Sequence, residues 1–101
     1  MTRKAIKDAG VFTIYKTVGR NVRRLRGDMS QKKLSEKAKV SRSTVESIEN
    51  GFGCSFENLI KIARALGVSP ADLFITDEQR KEVTYSHLLL MEKVRETLTG
   101  K

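Results

Sequence analysis

The sequence predicts an all-α domain built from five or six short helices. Three serines that can cap a first helical turn, Ser30, Ser41 and Ser55, each precede a segment whose apolar residues recur at helical spacing. Gly51 and Gly67 follow the second and third of these segments, as is typical of helix C-termini. The links between segments are short, and the chain holds no internal repeat or low-complexity stretch, so we expect one packed helical domain.

Length and composition narrow the class of protein. The 101 residues suit one small domain, with 39% hydrophobic and 32% charged residues. No apolar run could span a bilayer and no signal-peptide pattern opens the chain, so we expect a cytoplasmic protein without membrane association. The single cysteine, Cys54, fits a reducing compartment. Neither Cys54 nor the single histidine, His87, has partners at ligand or catalytic spacing, so we expect no metal, no cofactor and no enzyme activity.

The positive charge is concentrated in the first half of the chain. The net charge is +8; residues 1–50 hold 13 Lys and Arg against 5 Asp and Glu, whereas residues 51–101 hold 7 of each. A basic half beside a neutral half is the electrostatic pattern expected of nucleic-acid binding. Charge alone is equally compatible with a solubilising surface.

The N-terminal part is predicted to change from an arm to a helix. Residues 1–13 are basic and are expected to form a flexible, irregular or extended arm. A short strand over VFTIYKTV is an alternative, because β-branched and aromatic residues favour strands. A helix is expected from there to about Arg26, with Arg20, Arg23 and Arg24 in solvent. It is predicted by the apolar stripe Ile14, Val18, Val22 and Leu25.

Residues 30–51 are predicted to form two short helices joined by a tight turn. Leu34 lies on the apolar face of the first helix, and Val45 and Ile48 lie on that of the second, so all three are expected in the core. The pair Asn50-Gly51 suits a left-handed helix end. Two helices with so short a turn form a helix-turn-helix, whose second helix can lie in a DNA major groove. Its outward positions are Arg42, Ser43, Glu46 and Ser47.

Two more helices are predicted before residue 76. The first follows its cap, Ser55, and has an apolar face that includes Phe56. The second is short and begins at Ser69-Pro70, where a serine cap and a proline at the first helical position coincide. It contributes Leu73 and Phe74 to the apolar residues of the domain.

The C-terminal segment, residues 77–101, is predicted to be an additional helix used in dimerisation. A capping box at Thr76 opens it, and it extends to about residue 98 with a break near residues 84–86. Its apolar surface is broader than one helix needs to dock on its own domain. We expect it to pair with a second copy of the chain; folding over its own core is the alternative. The residues assigned to the dimer contact are Leu90, Met91, Val94 and Leu98.

An ordered series of short motifs runs through just over half of the chain. Its residues are Gly19, Asn21-Val22-Arg23-Arg24-Leu25-Arg26, Ser30-Gln31, Leu34, Val40-Ser41-Arg42-Ser43-Thr44-Val45, Ile48-Glu49-Asn50-Gly51, Leu59, Ile62-Ala63, Ala65-Leu66-Gly67-Val68 and Leu73. The series resembles the helix-turn-helix domain of phage Cro and repressor proteins and of XRE-type bacterial regulators. The resemblance implies a five-helix, phage-repressor-like DNA-binding domain, placed at residues 14–76, with the additional C-terminal helix after it.

The resemblance implies a recognition helix at residues 41–50. Its base-facing positions are Arg42, Ser43 and Ser47, with Glu46 nearby. An arginine can bind guanine O6 and N7 through two hydrogen bonds, a contact worth roughly 1–3 kcal/mol of discrimination. The serines are expected to read less selectively, through water.

Other matching positions imply contacts to the DNA backbone. Gln31 matches a glutamine that packs against the backbone and the recognition helix together. Ser41 and Asn50 match phosphate-contacting positions, whose role is to fix register rather than to read sequence. Lys32, which follows Gln31, is assigned to the backbone as well.

Two further positions concern stability. Arg26 and Glu49 match a buried ion pair that ties the first helix to the third, and loss of one partner should cost about 3–5 kcal/mol. Lys39 stands in the turn where the family commonly has glycine. A left-handed conformation there would store roughly 1–2 kcal/mol of strain.

The leading hypothesis is a transcriptional regulator that binds double-stranded DNA at a near-palindromic operator as a homodimer. One alternative is an antitoxin, in which residues 1–16 and 77–101 bind a toxin or another small protein partner and the domain represses its own operon. Another is a restriction–modification controller, which differs only in its genomic neighbour.

Overall fold

The computed structural model describes residues 9–98 of the chain. Within that range the chain forms five α-helices and one short 3₁₀ helix, with no strand, which confirms the predicted all-α class. No helix among the described residues is long and apolar enough to cross a membrane. The elements in chain order are α1 (Ala9–Arg26), α2 (Gln31–Ala38), α3 (Arg42–Glu49), α4 (Phe56–Leu66), the 3₁₀ helix (Pro70–Phe74) and α5 (Asp77–Leu98).

A serine or threonine hydroxyl caps the N-terminus of five of these six elements, as the sequence predicts. Ser30, Ser41 and Ser55 each accept a hydrogen bond from the backbone N–H three residues further on. Ser69 forms a capping box at the 3₁₀ helix, and Thr76 caps α5. Each cap satisfies an N–H that the first helical turn would otherwise leave unpaired. Short links between well-capped helices therefore fix the element boundaries locally.

The first four helices and the 3₁₀ helix pack around one core. Leu34, Val45 and Ile48, all predicted to be core residues, are fully or almost fully buried. The core therefore draws on both helices of the helix-turn-helix. Its buried members are Val18, Val22, Leu34, Ala38, Val45, Ile48, Leu59, Ile62, Ala63 and Leu73.

A close crossing of α1 and α3 fixes the position of α3, the predicted recognition helix. Gly19 is buried on α1, and a Cβ atom there would clash with the backbone carbonyl oxygen of Ile48 and lie 2.8 Å from that of Glu49. Only a residue without a side chain lets the two backbones approach this closely. The last turn of α3 therefore rests directly on α1.

The predicted start of the first helix is wrong. The chain is already helical at Ala9, the first described residue, so residues 9–13 belong to α1 rather than to an extended arm or a strand. Once the middle of a helix is packed, each further residue adds one hydrogen bond. A cation–π contact also stabilises this turn, because Lys16 Nζ lies 4.7 Å from the centroid of the Phe12 ring. Ile14, predicted in the buried stripe, is 48% exposed. Residues 1–8 of the predicted arm lie outside the described residues.

The predicted break near residues 84–86 is also wrong, because α5 is continuous from Asp77 to Leu98. The Thr84 hydroxyl donates to the backbone carbonyl of Arg80, four residues earlier, so its polar group is satisfied inside the helix. Phe56, the first residue of α4, was expected on an apolar face but is 69% exposed.

The first turn of α5 is anchored to the domain, whereas the rest of the helix is exposed. Asn21 is buried on α1 and donates to the backbone carbonyls of Leu73 and Ile75, both at 2.8 Å. Its own side-chain oxygen accepts a hydrogen bond from Arg80 at 2.6 Å. Beyond residue 83 every described side chain of α5 is exposed, so the described helix does not fold over its own core.

Candidate nucleic-acid interface

The helix α3 separates a packed inner face from an exposed outer face. Val45 and Ile48 are buried on the inner face. Gly51, which directly follows the C-cap Asn50, has a φ of 80°, so the left-handed residue at this helix end is the glycine. The structure thus places the predicted recognition helix between Ser41 and Asn50, as the sequence indicates.

The four predicted base-reading residues share the outer face of α3. Arg42, Ser43 and Glu46 are exposed, and Ser47 is half-buried. They occupy positions i, i+1, i+4 and i+5, which lie on one side of an α-helix. The structure therefore brings all four together on one accessible surface.

The hydroxyl of Ser41 takes part in a small cluster at the start of α3. Its oxygen accepts from the backbone N–H of Thr44 at 3.0 Å and lies 3.0 Å from the Ser43 hydroxyl and 2.8 Å from the Thr44 hydroxyl. A serine hydroxyl has one donor and two acceptor positions. Ser41 can therefore cap the helix and still direct its proton toward a neighbouring oxygen.

The carboxylate of Glu49 joins α1, α2 and α3, as the predicted ion pair requires. Arg26 donates from Nε to Glu49 Oε2 at 2.6 Å and from Nη2 to Oε1 at 2.9 Å. Gln31 donates to Oε1 at 3.0 Å, and Arg23 Nε lies 3.5 Å from the same oxygen. The side chain of Glu49 is 0% exposed and that of Arg26 is 17% exposed. Such a two-pronged pair is both strong and geometrically specific.

These contacts decide the ionisation of the pair. Burial raises the pKa of Glu49, but the hydrogen bonds from Arg26 and Gln31 and the charges of Arg26 and Arg23 outweigh it, and the pKa falls below its ordinary value. The hydrogen bond to Glu49 raises the pKa of Arg26. Both partners are therefore charged at neutral pH.

The ends of α2 place its polar residues beside α3. Gln31 is the first residue of α2 and makes the recognition-helix contact that the resemblance implies, while Lys32 next to it is exposed. Arg26 Nη1 also donates to the backbone carbonyl of Met29 at 2.7 Å, which braces the short turn between α1 and α2. At the other end of α2, Lys39 is left-handed with φ 60° and ψ 44°, the conformation for which strain was predicted.

The anchor of α5 was not predicted from the sequence. Asn21 belongs to the motif series but had no predicted role of its own, although it lies on the same face of α1 as Val18 and Leu25. A polar residue within an apolar stripe signals a buried and fully hydrogen-bonded side chain. That signal was present, but it did not identify Arg80 as the partner.

The residues assigned to dimerisation remain without a packing partner in the described chain. They lie along the far part of α5, from 44% to 81% exposed, and the structure does not bring them against the core. They are Leu90, Met91, Val94 and Leu98.

The described residues show no group of three or more His, Cys, Asp or Glu that could hold a metal ion. Cys54 is a free thiol on the exposed loop between α3 and α4. Partial burial raises the pKa of this thiol, which lowers the fraction of reactive thiolate at neutral pH.

Comparison with known proteins agrees with this geometry. Residues 20–73 match the family described as helix-turn-helix. One relative is the control protein C.BamHI of Bacillus amyloliquefaciens, 40% identical over 55 residues that cover 54% of this chain and 68% of the relative. The crystal structure of a hypothetical transcription factor, NHTF from Neisseria, superposes with a TM-score of 0.65 at 25% identity, covering 69% of this chain and 84% of that one. The chain belongs to the XRE-type helix-turn-helix family and is a DNA-binding transcription regulator.

Proposed function

We propose that this regulator binds a near-palindromic operator as a homodimer, with its two copies of α3 in successive major grooves about 10–10.5 base pairs apart. The observation that carries the proposal is that α3 has an exposed polar face on one side. On its other side the fully buried Glu49 side chain holds the helix against the domain. A helix that is fixed on one side and accessible on the other can enter a groove without rearrangement. Arg42 reads a base in each half-site, supported by Ser43, Glu46 and Ser47.

Backbone contacts set the register of the reading face. Gln31 and Lys32 at the start of α2, and Ser41 and Asn50 at the two ends of α3, are the groups we assign to phosphates. Gln31 already holds Glu49, so its amide couples the DNA backbone to the recognition helix. Phosphate contacts of this kind position the protein and make binding fall with salt.

The exposed part of α5 is the surface that we assign to the second copy. The helix has 22 residues, and an unsupported helix carrying this many exposed apolar side chains is only marginally stable in water. Burial of a leucine or valine stabilises by roughly 1.5–3 kcal/mol. Pairing of two such helices about a two-fold axis would bury Leu90 and Val94 of both copies and present two half-site readers.

The test combines site selection with the oligomeric state. Duplexes selected from a random pool should contain two related half-sites, and light scattering should give the mass of a dimer. Leu90→Asp plus Val94→Asp should give a folded monomer that binds the selected duplex weakly. Lys81→Asp plus Thr84→Asp places two acids on the first turns of α5 instead and should remain dimeric. An unchanged dimer mass for the first variant would disprove the α5 contact.

The control protein among the relatives favours a second candidate, a restriction–modification controller acting through the same DNA contacts. The antitoxin alternative would use the same exposed face of α5 for another small protein. Purification of the chain at its natural expression level separates these candidates, because an antitoxin should bring a second polypeptide with it and a controller should not.

A further inference from the structure

We propose that α1 supplies a second DNA-backbone contact, a phosphate-binding cleft formed by Lys16, Arg20 and Arg23. The cleft has a volume of about 220 Å³, and the C-terminal residues of α3, including Asn50, complete its wall. The inference rests on the DNA-binding function proposed above and adds to it three residues that neither the recognition helix nor the family resemblance assigns. The occupants are phosphates on one strand of the operator backbone.

The spacing of the three cations suits a nucleic-acid strand. Lys16, Arg20 and Arg23 are separated by four and three residues, so they form one row along the exposed side of α1. The row is roughly 10 Å long at the rise of an α-helix. Phosphates of one strand recur about every 3.4 Å along the DNA axis, so the row can serve two or three of them.

The charge of the cleft is not neutralised within the domain. Glu49 is the carboxylate in its wall, and that carboxylate already accepts three hydrogen bonds from Arg26 and Gln31. Arg23 lies 3.5 Å from it with a side chain that is 60% exposed. Arg20 faces Asp77 only in an exposed pair at 3.7 Å, a kind of contact that holds weakly against a competing phosphate. The cleft therefore retains excess positive charge directed toward solvent.

The cleft adjoins the surface already assigned to the DNA backbone. Arg23 and Gln31 both approach the same oxygen, Oε1 of Glu49, so their polar ends are immediate neighbours. Asn50, the proposed phosphate contact at the end of α3, lines the cleft itself. A strand held by Gln31 and Asn50 would therefore pass the basic row on α1.

The decisive variant is Lys16→Gln plus Arg20→Gln, which removes two charges from the row and leaves the contacts of Glu49 intact. Its affinity for the selected operator and for an unrelated duplex should fall by the same factor, at least tenfold, so that the ratio of the two is unchanged. The slope of log K against log salt should become shallower by about one for each phosphate that the variant no longer binds. Arg64→Gln plus Lys81→Gln, with the same net charge, should keep the wild-type slope.

Thermal unfolding separates a purely structural role from phosphate binding, because a structural role would lower Tm and leave the salt slope unchanged. A wild-type slope in the Lys16→Gln plus Arg20→Gln variant would overturn the cleft while leaving the proposed function intact. An equally shallow slope in the control variant would also overturn it, because the effect would then follow net charge alone. Failure of the wild-type protein to distinguish any duplex would instead refute the proposed operator binding, whereas the comparison of salt slopes would still decide whether the cleft binds phosphates.

Discussion

Glu49→Gln should destabilise the domain by about 3 kcal/mol or more, near the lower end of the range for breaking a buried ion pair. Glutamine has the same size as glutamate, so the change reports on charge rather than on packing. It leaves the Arg26 guanidinium, 17% exposed, without its counter-ion, and it turns an NH₂ group toward the donors of Arg26 and Gln31. The residual exposure of Arg26 lets water compensate in part, which is why the lower end applies.

A destabilisation of this size is large for such a domain. Small domains are stable by about 5–15 kcal/mol, so a fifth or more of the total would disappear. At about 4–8 °C per kcal/mol for a chain of this length, Tm should fall by at least roughly 12 °C. Operator affinity should fall as well, because the carboxylate of Glu49 also holds Gln31 in place.

The stabilisation also has a defined pH dependence. The pKa of Glu49 lies below its ordinary value in the folded protein. A carboxyl with a lowered folded pKa contributes stability that is complete above its unfolded pKa and is lost as the pH falls through the folded pKa. The stability difference between the wild type and Glu49→Gln should therefore be constant near neutral pH and shrink below about pH 4.

Urea unfolding followed by circular dichroism, at pH 7 and at a series of acidic pH values, measures the loss of stability in Glu49→Gln and its dependence on pH. The matched control is Glu46→Gln, the same substitution at an exposed position of α3. That control should change stability by no more than about 0.5 kcal/mol. If Glu49→Gln costs no more than Glu46→Gln, or if its deficit persists unchanged at low pH, the reasoning from the buried pair is refuted.

Four other substitutions, in two pairs, test the reading face and its support. Arg42→Ala should relax specificity at one position of each half-site, by roughly 1–3 kcal/mol, whereas Lys32→Ala should weaken binding to all duplexes together. A panel of singly substituted operators distinguishes them, and an equal reduction on every duplex for Arg42→Ala would contradict its role. Gly19→Ala should cost about 1–3 kcal/mol by forcing α3 away from α1, and it should lower operator affinity in a temperature range where the protein remains folded. The control is Gly27→Ala. A Cβ at Gly27 would meet no atom within 4 Å, but the φ of this residue is 56°, so the substitution should cost about 1–2 kcal/mol in stability without changing affinity. Equal reductions in affinity for the two glycine variants would argue against the close crossing.

The parts of the fold that follow local rules could be predicted from the sequence. A serine such as Ser41 can be recognised as a helix cap from the sequence, because the unpaired N–H groups that it satisfies belong to the turn directly after it. The inner and outer faces of α3 follow from its periodicity, and the family motifs identified Arg26 and Glu49 as partners. The strained, left-handed position at Lys39 could also be predicted from the family motifs, because the family commonly has glycine there.

The errors occurred where tertiary or cooperative effects decide. The β-branched residues near the start of α1 favour a strand only weakly, and an already packed helix extends over them. Thr84 was expected to break α5 on propensity, yet its hydroxyl is satisfied inside the helix. Ile14 fits the apolar stripe by spacing, but nothing in the sequence tells where the neighbouring elements end and the solvent begins.

The anchor at Asn21 shows what spacing cannot supply and why α1 organises the molecule. Its amide bridges to backbone carbonyls more than fifty residues away, and no local rule selects those acceptors. Through it α1 holds the start of α5, and through Gly19 and the Glu49 contacts the same helix holds α3. In the proposed dimer, α1 therefore helps to set the distance between the two reading helices, because in each copy it contacts both α3 and the start of α5. The proposed phosphate cleft follows from the same arrangement, because α1 both positions the reading face and lies beside it. Arg23 of α1 lies 3.5 Å from the Glu49 carboxylate of α3.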